Sequence, residues 1–303
     1  MIKYLCYKFA QNCLRNGGKA VKERRGRRVA ALCLISVLCM LLLSACGSVG
    51  KWEYRPITDV NNLEGRRVGV NLGWDADYFL DGRDDMVIVR YDSTADLILA
   101  MSYDKVDALA MDDILWKLVS NQSSGVTVVD PPAGYTGYTV YFGPHSKDIM
   151  EDFNAFLAEY KQTEEYQDFL RRLDGFDGVN YEGPEIPATG TGRTLRVAYL
   201  DGEFPRSFSE PGDDAHALGF DTEAIKRYAN EHDMQLEFIP ASYEYMVTGL
   251  RQGIFDAALG YLSDVYAEDI KNVGLFVSDP MDESPILFVQ KTQPVISFNL
   301  EGE

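Results

Sequence analysis

Lys105-Val106-Asp107-Ala108-Leu109 and Gly253-Ile254-Phe255-Asp256-Ala257-Ala258-Leu259 are two versions of one phrase, a helical stretch running into an apolar strand that opens on Asp-Ala. Its repetition predicts two related units of similar build. Around the first copy, Val68-Gly69-Val70, Met86 to Val89, Val106 to Met111, Val126 to Val129 and Tyr138 to Phe142 have the apolar, β-branched character of short strands. Ser93 to Met101 and Asp112 to Val119 between them carry helical spacing. Around the second copy, Leu195 to Leu200, Leu236 to Pro240, Ala257 to Gly260 and Ile286 to Gln290 read as strands, with Asp221 to His232 and Tyr245 to Arg251 as helices. Alternation of this kind predicts an α/β fold in which each unit is a mostly parallel sheet flanked by helices.

Between the two units, Phe153, Phe156, Leu157 and Tyr160, then Tyr166, Phe169 and Leu170, recur at helical spacing within Asp148 to Leu173. That stripe is expected to be core packing. Asp174 to Arg193 follows, rich in Gly, Pro and Thr, with the composition of a linker. The expected organisation is a leader at 1–45, a tether at 46–62, one lobe at 63–173, the linker at 174–193, a second lobe at 194–291 and a tail at 292–303.

The leader is read from its order. Basic residues Lys22, Arg24, Arg25, Arg27 and Arg28 precede the apolar run Val29 to Leu43, which ends in Leu43-Ser44-Ala45-Cys46. That order predicts a cleaved export signal and a lipobox, with Cys46 carrying the diacylglycerol and palmitate-type chains. The run is shorter than the ~20 residues of a spanning helix. All five cysteines lie at or before Cys46, so an exported product has no thiol pair for a disulfide. Nine Lys/Arg and one Glu fall in residues 1–45, which takes the formal charge from −18 for the whole chain to −26 for the remainder. A surface so acidic excludes nucleic acid as a partner.

At this point the residues resemble the amino-acid-type family of extracellular solute-binding proteins, the type II Venus-flytrap receptors of ABC importers. Leu195 to Tyr199, the loop Phe204-Pro205-Arg206-Ser207-Phe208, Gly219-Phe220-Asp221, Leu250-Arg251-Gln252-Gly253 and Phe276-Val277-Ser278-Asp279-Pro280 resemble that family's first lobe, in order. Leu63 to Val70, Asp107 to Asp112 and Asp152 to Leu157 resemble its second lobe and closing helices. The two lobes stand in inverted order, as a circular permutation joined through 174–193 would place them; a fragment of a tandem protein is the alternative.

The resemblance implies a periplasmic-binding-protein-like fold that closes on a small polar solute, without cofactor or metal. It also implies a monomer, anchored outside the cytoplasmic membrane, that serves the membrane subunits of an ABC importer. The ligand shell it implies is Trp74, Asp75 and Asp112 from the first unit, with Phe204, Phe208, Tyr243, Tyr261, Ser263 and Asp264 from the second. Asp112 serves equally well as a helix N-cap. Phe204 and Phe208 serve equally well in a core. Where the family has an arginine that forks the ligand carboxylate, this chain has Glu268 or Asp269, according to the register, and no arginine follows Arg251. That replacement suits an amine-bearing ligand; a sensory or interaction lipoprotein with a degenerate cleft is the alternative. No metal-type histidine pair, G-x-S-x-G, P-loop or Rossmann fingerprint occurs, so an enzyme is not expected.

Overall fold

The computed structural model describes residues 56–121, 124–213 and 216–292. The leader with Cys46, most of the tether, and residues 293–303 of the tail lie outside the described residues. Among those described, no helix is long and apolar enough to cross a membrane.

The first half of the chain alternates as its pattern requires: β1 (Arg66–Asn71), α1 (Asp75–Leu80), β2 (Met86–Tyr91), α2 (Thr94–Ser102), β3 (Ala108–Asp112), α3 (Asp113–Ser120) and β4 (Val126–Tyr138). Local chemistry sets the helix starts. Ser93 accepts from the Asp96 amide ahead of α2, and Asp112 accepts from the Leu115 amide ahead of α3. β4 contains Pro131 and Pro132, which cannot donate to a ladder, and it occupies a sheet edge accordingly.

The second half holds β5 (Tyr141–Phe142), α4 (Lys147–Tyr160), α5 (Glu164–Asp174), β6 (Thr194–Tyr199), α6 (Phe220–Glu231), β7 (Gln235–Pro240) and α7 (Tyr243–Gln252). It continues with β8 (Ala257–Leu259), a single 3-10 turn at Asp264–Tyr266 leading into α8 (Ala267–Asn272), β9 (Phe276–Val277) and β10 (Asp282–Lys291).

Two five-stranded sheets result, ordered β2-β1-β3-β10-β4 and β7-β6-β8-β5-β9. Each is mixed. In both, the first three strands in the order are parallel neighbours, and the fourth and fifth are paired antiparallel. The fourth strand of each sheet is the one that arrives from the other sheet. β4 closes the first sheet and the chain crosses at Tyr138–Tyr141 to supply β5; β9 closes the second, and the chain returns at Val277–Asp282 to supply β10. The fold is therefore α/β with two sheet-centred lobes joined by two crossing strands.

Three expectations change here. Tyr138 to Phe142 is not one strand: Tyr138 ends β4 in the first sheet and Tyr141 begins β5 in the second. The lobe boundaries fall at these crossings rather than at 174–193, so Asp282–Lys291 belongs to the first lobe and α4 and α5 to the second. The physical reason is burial. The aromatic stripe of α4 and α5 packs on the core beside Leu195, Val197 and Tyr228, with Phe153 edge-on to Tyr228 at 5.3 Å. The stretch 175–193 then connects α5 to β6 within one lobe.

The repeated Asp-Ala phrase has the same job in both lobes. Asp107 accepts from the backbone amide of Arg67 at 2.8 Å and from its guanidinium at 3.2 and 2.9 Å. Asp256 accepts from the amide of Arg196 at 2.9 Å and from its guanidinium twice at 3.1 Å. In each case the aspartate just ahead of β3 or β8 is tied to an arginine of the neighbouring parallel strand, β1 or β6, which fixes the register of the pair.

Candidate functional site

A cavity of about 330 Å³ lies where the lobes meet. From the first lobe it is lined by Gly73, Trp74, Asp75 and Tyr78, in the turn after β1 and along α1, and by Asp112 at the end of β3. From the second lobe come Leu200 and Glu203 after β6, Tyr243 at the start of α7, and Tyr261, Leu262 and Tyr266 after β8. Almost all of these follow the carboxyl end of a strand, where an α/β sheet leaves its backbone open to a ligand.

The lobes touch directly around this cavity. Ser263 Oγ donates to Asp75 Oδ1 at 2.9 Å, Tyr261 OH donates to Asp112 Oδ1 at 3.4 Å, and Tyr266 OH donates to the Gly73 carbonyl at 3.0 Å. Tyr78 meets Tyr266 edge-on at 4.6 Å, and Tyr261 meets Tyr138 edge-on at 5.4 Å. Tyr261 stands at φ 55°, a left-handed conformation that a bulky side chain adopts only when its surroundings impose it. Here its amide is held by Asp221 Oδ2 at 2.9 Å.

The cavity is acidic. Asp75 is 5% exposed and Asp112 3%. Burial, reinforced by the charge of Asp112, pushes the Asp75 carboxyl up to about 6. Burial also raises Asp112, against the stabilising amide of Leu115, and raises Glu203. Among the described residues, no Lys, Arg or His lines the cavity.

Arg206 is fully buried behind the cavity, against Tyr138 and Tyr261. Its Nη1 donates to Asp221 Oδ1 at 3.0 Å and to Asp282 Oδ1 at 2.8 Å, and its Nη2 to Asp282 Oδ2 at 2.8 Å. The guanidinium lies 3.5 Å over the ring of Tyr138. Burial alone would lower the pKa of Arg206, but the two carboxylates outweigh it and hold the group charged. Because Tyr138 ends one crossing strand and Asp282 begins the other, this side chain of the second lobe holds both crossings.

Of the residues expected at the site, Trp74, Asp75, Asp112, Tyr243 and Tyr261 line the cavity. Asp112 also caps α3, so its two readings are compatible. Ser263 stands behind the wall, on Asp75. Two expectations are corrected. Phe204 and Phe208 do not sandwich a ligand there; they pack on Phe176 and Tyr181 of the 175–193 stretch, at 5.8 and 5.5 Å, because that stretch covers the loop after β6. Asp264 points away and accepts from Gly137 N at 2.9 Å and Thr136 Oγ1 at 3.3 Å, bracing the end of β4. Glu268 and Asp269, the acids at the family's arginine position, are exposed on α8 and do not line the cavity.

No protein-family model matches the chain, and no curated protein does. Among solved structures, the GluR0 ligand-binding core in complex with L-glutamate is similar at 12% identity and a TM-score of 0.34, over 75% of this chain and 84% of that one. A phosphate-binding protein of a phosphate ABC transporter from Streptococcus pneumoniae is similar at 11% identity and 0.38, over 75% and 88%. A probable amino-acid ABC transporter extracellular-binding protein from Bacillus subtilis is similar at 9% identity and 0.36, over 77% and 86%. Likenesses this slight carry no argument about activity. The fold rests on the strand order of the two sheets.

Glu203, Tyr78, Tyr266 and Arg206 are the residues that sequence reasoning did not single out. Glu203 had a local signal, since it lies in the loop that follows strand β6. Arg206 stands in the same loop, but nothing local shows its role, because its partners Asp221 and Asp282 lie 15 and 76 residues away.

Proposed function

We propose that this chain is a lipid-anchored, extracytoplasmic solute-binding protein that captures a small amine-bearing solute between its lobes and delivers it to an ABC importer. The observation that carries the reading is the cavity between the lobes: two buried carboxylates, five aromatic side chains and no basic lining residue. Such walls attract an ammonium group by ion pairing and cation–π contact, and among the described residues they offer an α-carboxylate no cationic partner. The paired sheets, each completed by a strand from the other, supply the hinge that flytrap closure needs.

The amino-acid-type family is supported by the motifs around Leu195–Tyr199, Gly219–Asp221 and Asp256–Ala257. The permuted order is supported by the course of the chain, in which 175–193 joins the closing helices to β6 inside one lobe, as fused ancestral ends would. Anchoring rests on Leu43-Ser44-Ala45-Cys46. The chain acts as a binding protein rather than an enzyme.

A thermal-shift screen of the full chain in mild detergent, against amines, amino acids, small peptides and sugars, tests this. At a hundred times its dissociation constant a ligand specific for the folded state adds about 2.7 kcal/mol, or roughly 5–10 °C. A hit among amines, weakened at least about tenfold by Asp112→Ala, is the expected result. Preferential stabilisation by ordinary amino acids would refute the amine reading, and silence throughout would point to a protein partner instead.

A further inference from the structure

The cavity holds more negative charge than one ammonium group matches. Asp75 and Asp112 both stand on the first lobe and are buried, while Glu203 lines the facing lobe half-buried. Arg206 does not neutralise them, because its single charge is already met by both Asp221 and Asp282. Asp75 and Asp112 thus have hydrogen bonds, from Ser263, Tyr261 and the Leu115 amide, and among the described residues neither forms an ion pair, although the charge of Arg206 favours the ionised form of Asp112 from a distance.

A second observation is independent of the charge count. Asp75 Oδ2 is buried and completes no hydrogen bond, although the hydroxyls of Tyr138 and Tyr266 lie near enough to favour its charged form; the Tyr138 hydroxyl is likewise buried and completes no bond. Buried polar atoms are nearly always paired, and a carboxylate oxygen can only accept. That oxygen is an open acceptor on the cavity side, and an ammonium group entering the cavity can donate to it. Around it, Trp74, Tyr78, Tyr261 and Tyr266 present ring surface that suits methylene groups as well as cations.

We infer that the ligand is a linear aliphatic dication, with one ammonium group against Asp75 and Asp112 of the first lobe and the other toward Glu203 of the second, its alkyl stem lying along the tyrosines. A monocation leaves carboxylate charge buried without a counter-charge. A dication also gives each lobe its own attachment point, so that closure of the lobes and full charge pairing occur together. The inference rests on the amine-binding reading proposed above and narrows it from any amine to a two-headed one.

Isothermal titration of the full chain in mild detergent at pH 7.5 tests it with four probes: butane-1,4-diamine, pentane-1,5-diamine, butylamine and pentylamine. The diamines are expected to bind at least about tenfold more tightly than the monoamines of equal length, about 1.4 kcal/mol. Two charge-removing variants keep the fold within reach. Asp112→Asn retains an oxygen that can cap α3, and Glu203→Gln alters a half-buried loop residue; each should reduce the diamine preference to about threefold or less. Equal affinity for diamine and monoamine overturns the dication and leaves the amine reading standing. A preference unaffected by either variant overturns the placement of the two ammonium groups. No affinity for any of the four probes overturns both readings.

Discussion

Replacing Asp75 by Asn should make the protein more stable at neutral pH while weakening ligand capture. The Asp75 carboxyl is raised from its ordinary value of 3.8 to about 6, mainly by burial and next by the charge of Asp112. An acid whose folded value lies above its unfolded value binds its proton more tightly in the folded state. Its contribution is therefore most favourable below about pH 4 and is lost as pH rises through 6, the reverse of a salt-bridged aspartate. At about 1.36 kcal/mol for each tenfold change, the ionised carboxylate costs the fold about 3 kcal/mol at pH 7.5. Asn keeps an acceptor for Ser263 Oγ and removes the charge, though its amide still needs a partner, so the expected gain is about 2 kcal/mol. For a folded region of this size that is a rise of roughly 4–8 °C in Tm. Urea unfolding at pH 7.5 and pH 4 measures it. The gain should shrink below about 1 kcal/mol at pH 4, where wild-type Asp75 is already protonated in the fold. A variant no more stable than wild type at pH 7.5, or one with the same gain at both pH values, would refute the reasoning. Such a trade of stability for a charged site is expected where function demands a buried ion.

Arg206→Met should be costly, because it strands Asp221 and Asp282 as buried charges without their cation; a loss of about 3–5 kcal/mol in urea unfolding is expected, and the triple change with Asp221→Asn and Asp282→Asn should recover much of it. A loss below about 1 kcal/mol for Arg206→Met would show that the group does not hold the crossings. Asp107→Asn and Asp256→Asn should destabilise by amounts equal within about 0.5 kcal/mol, since each breaks the same tie to the neighbouring parallel strand of its lobe. A large inequality in their chemical denaturation midpoints would break the structural equivalence of the two phrases.

How much of this was legible in advance follows from range. The alternation of strands and helices, the aromatic stripe of Lys147–Asp174 and the caps at Ser93 and Asp112 are governed by neighbours three or four residues away, and they form where the sequence places them. Trp74, Asp75, Asp112, Tyr243 and Tyr261 could be named because the family resemblance implies a site between the lobes, and the strand ends that would face it can be read locally. Phe204 and Phe208 misled because an aromatic pair in a loop looks the same whether it faces a ligand or a covering segment. Only the fold brings Phe176 and Tyr181 onto them.

By itself, then, the sequence determined two α/β units, their shared Asp-Ala phrase, the acidity of the chain and the absence of catalytic motifs, all of which are properties of local pattern or composition. The tertiary structure alone decided which lobe owns α4, α5 and β10, and that Arg206 is spent on Asp221 and Asp282. It also decided that Asp75 meets Ser263 across 188 residues and Asp112 meets Tyr261 across 149. These depend on strands that cross between sheets and on desolvation within a closed cleft, and no window of sequence contains both partners of such a contact.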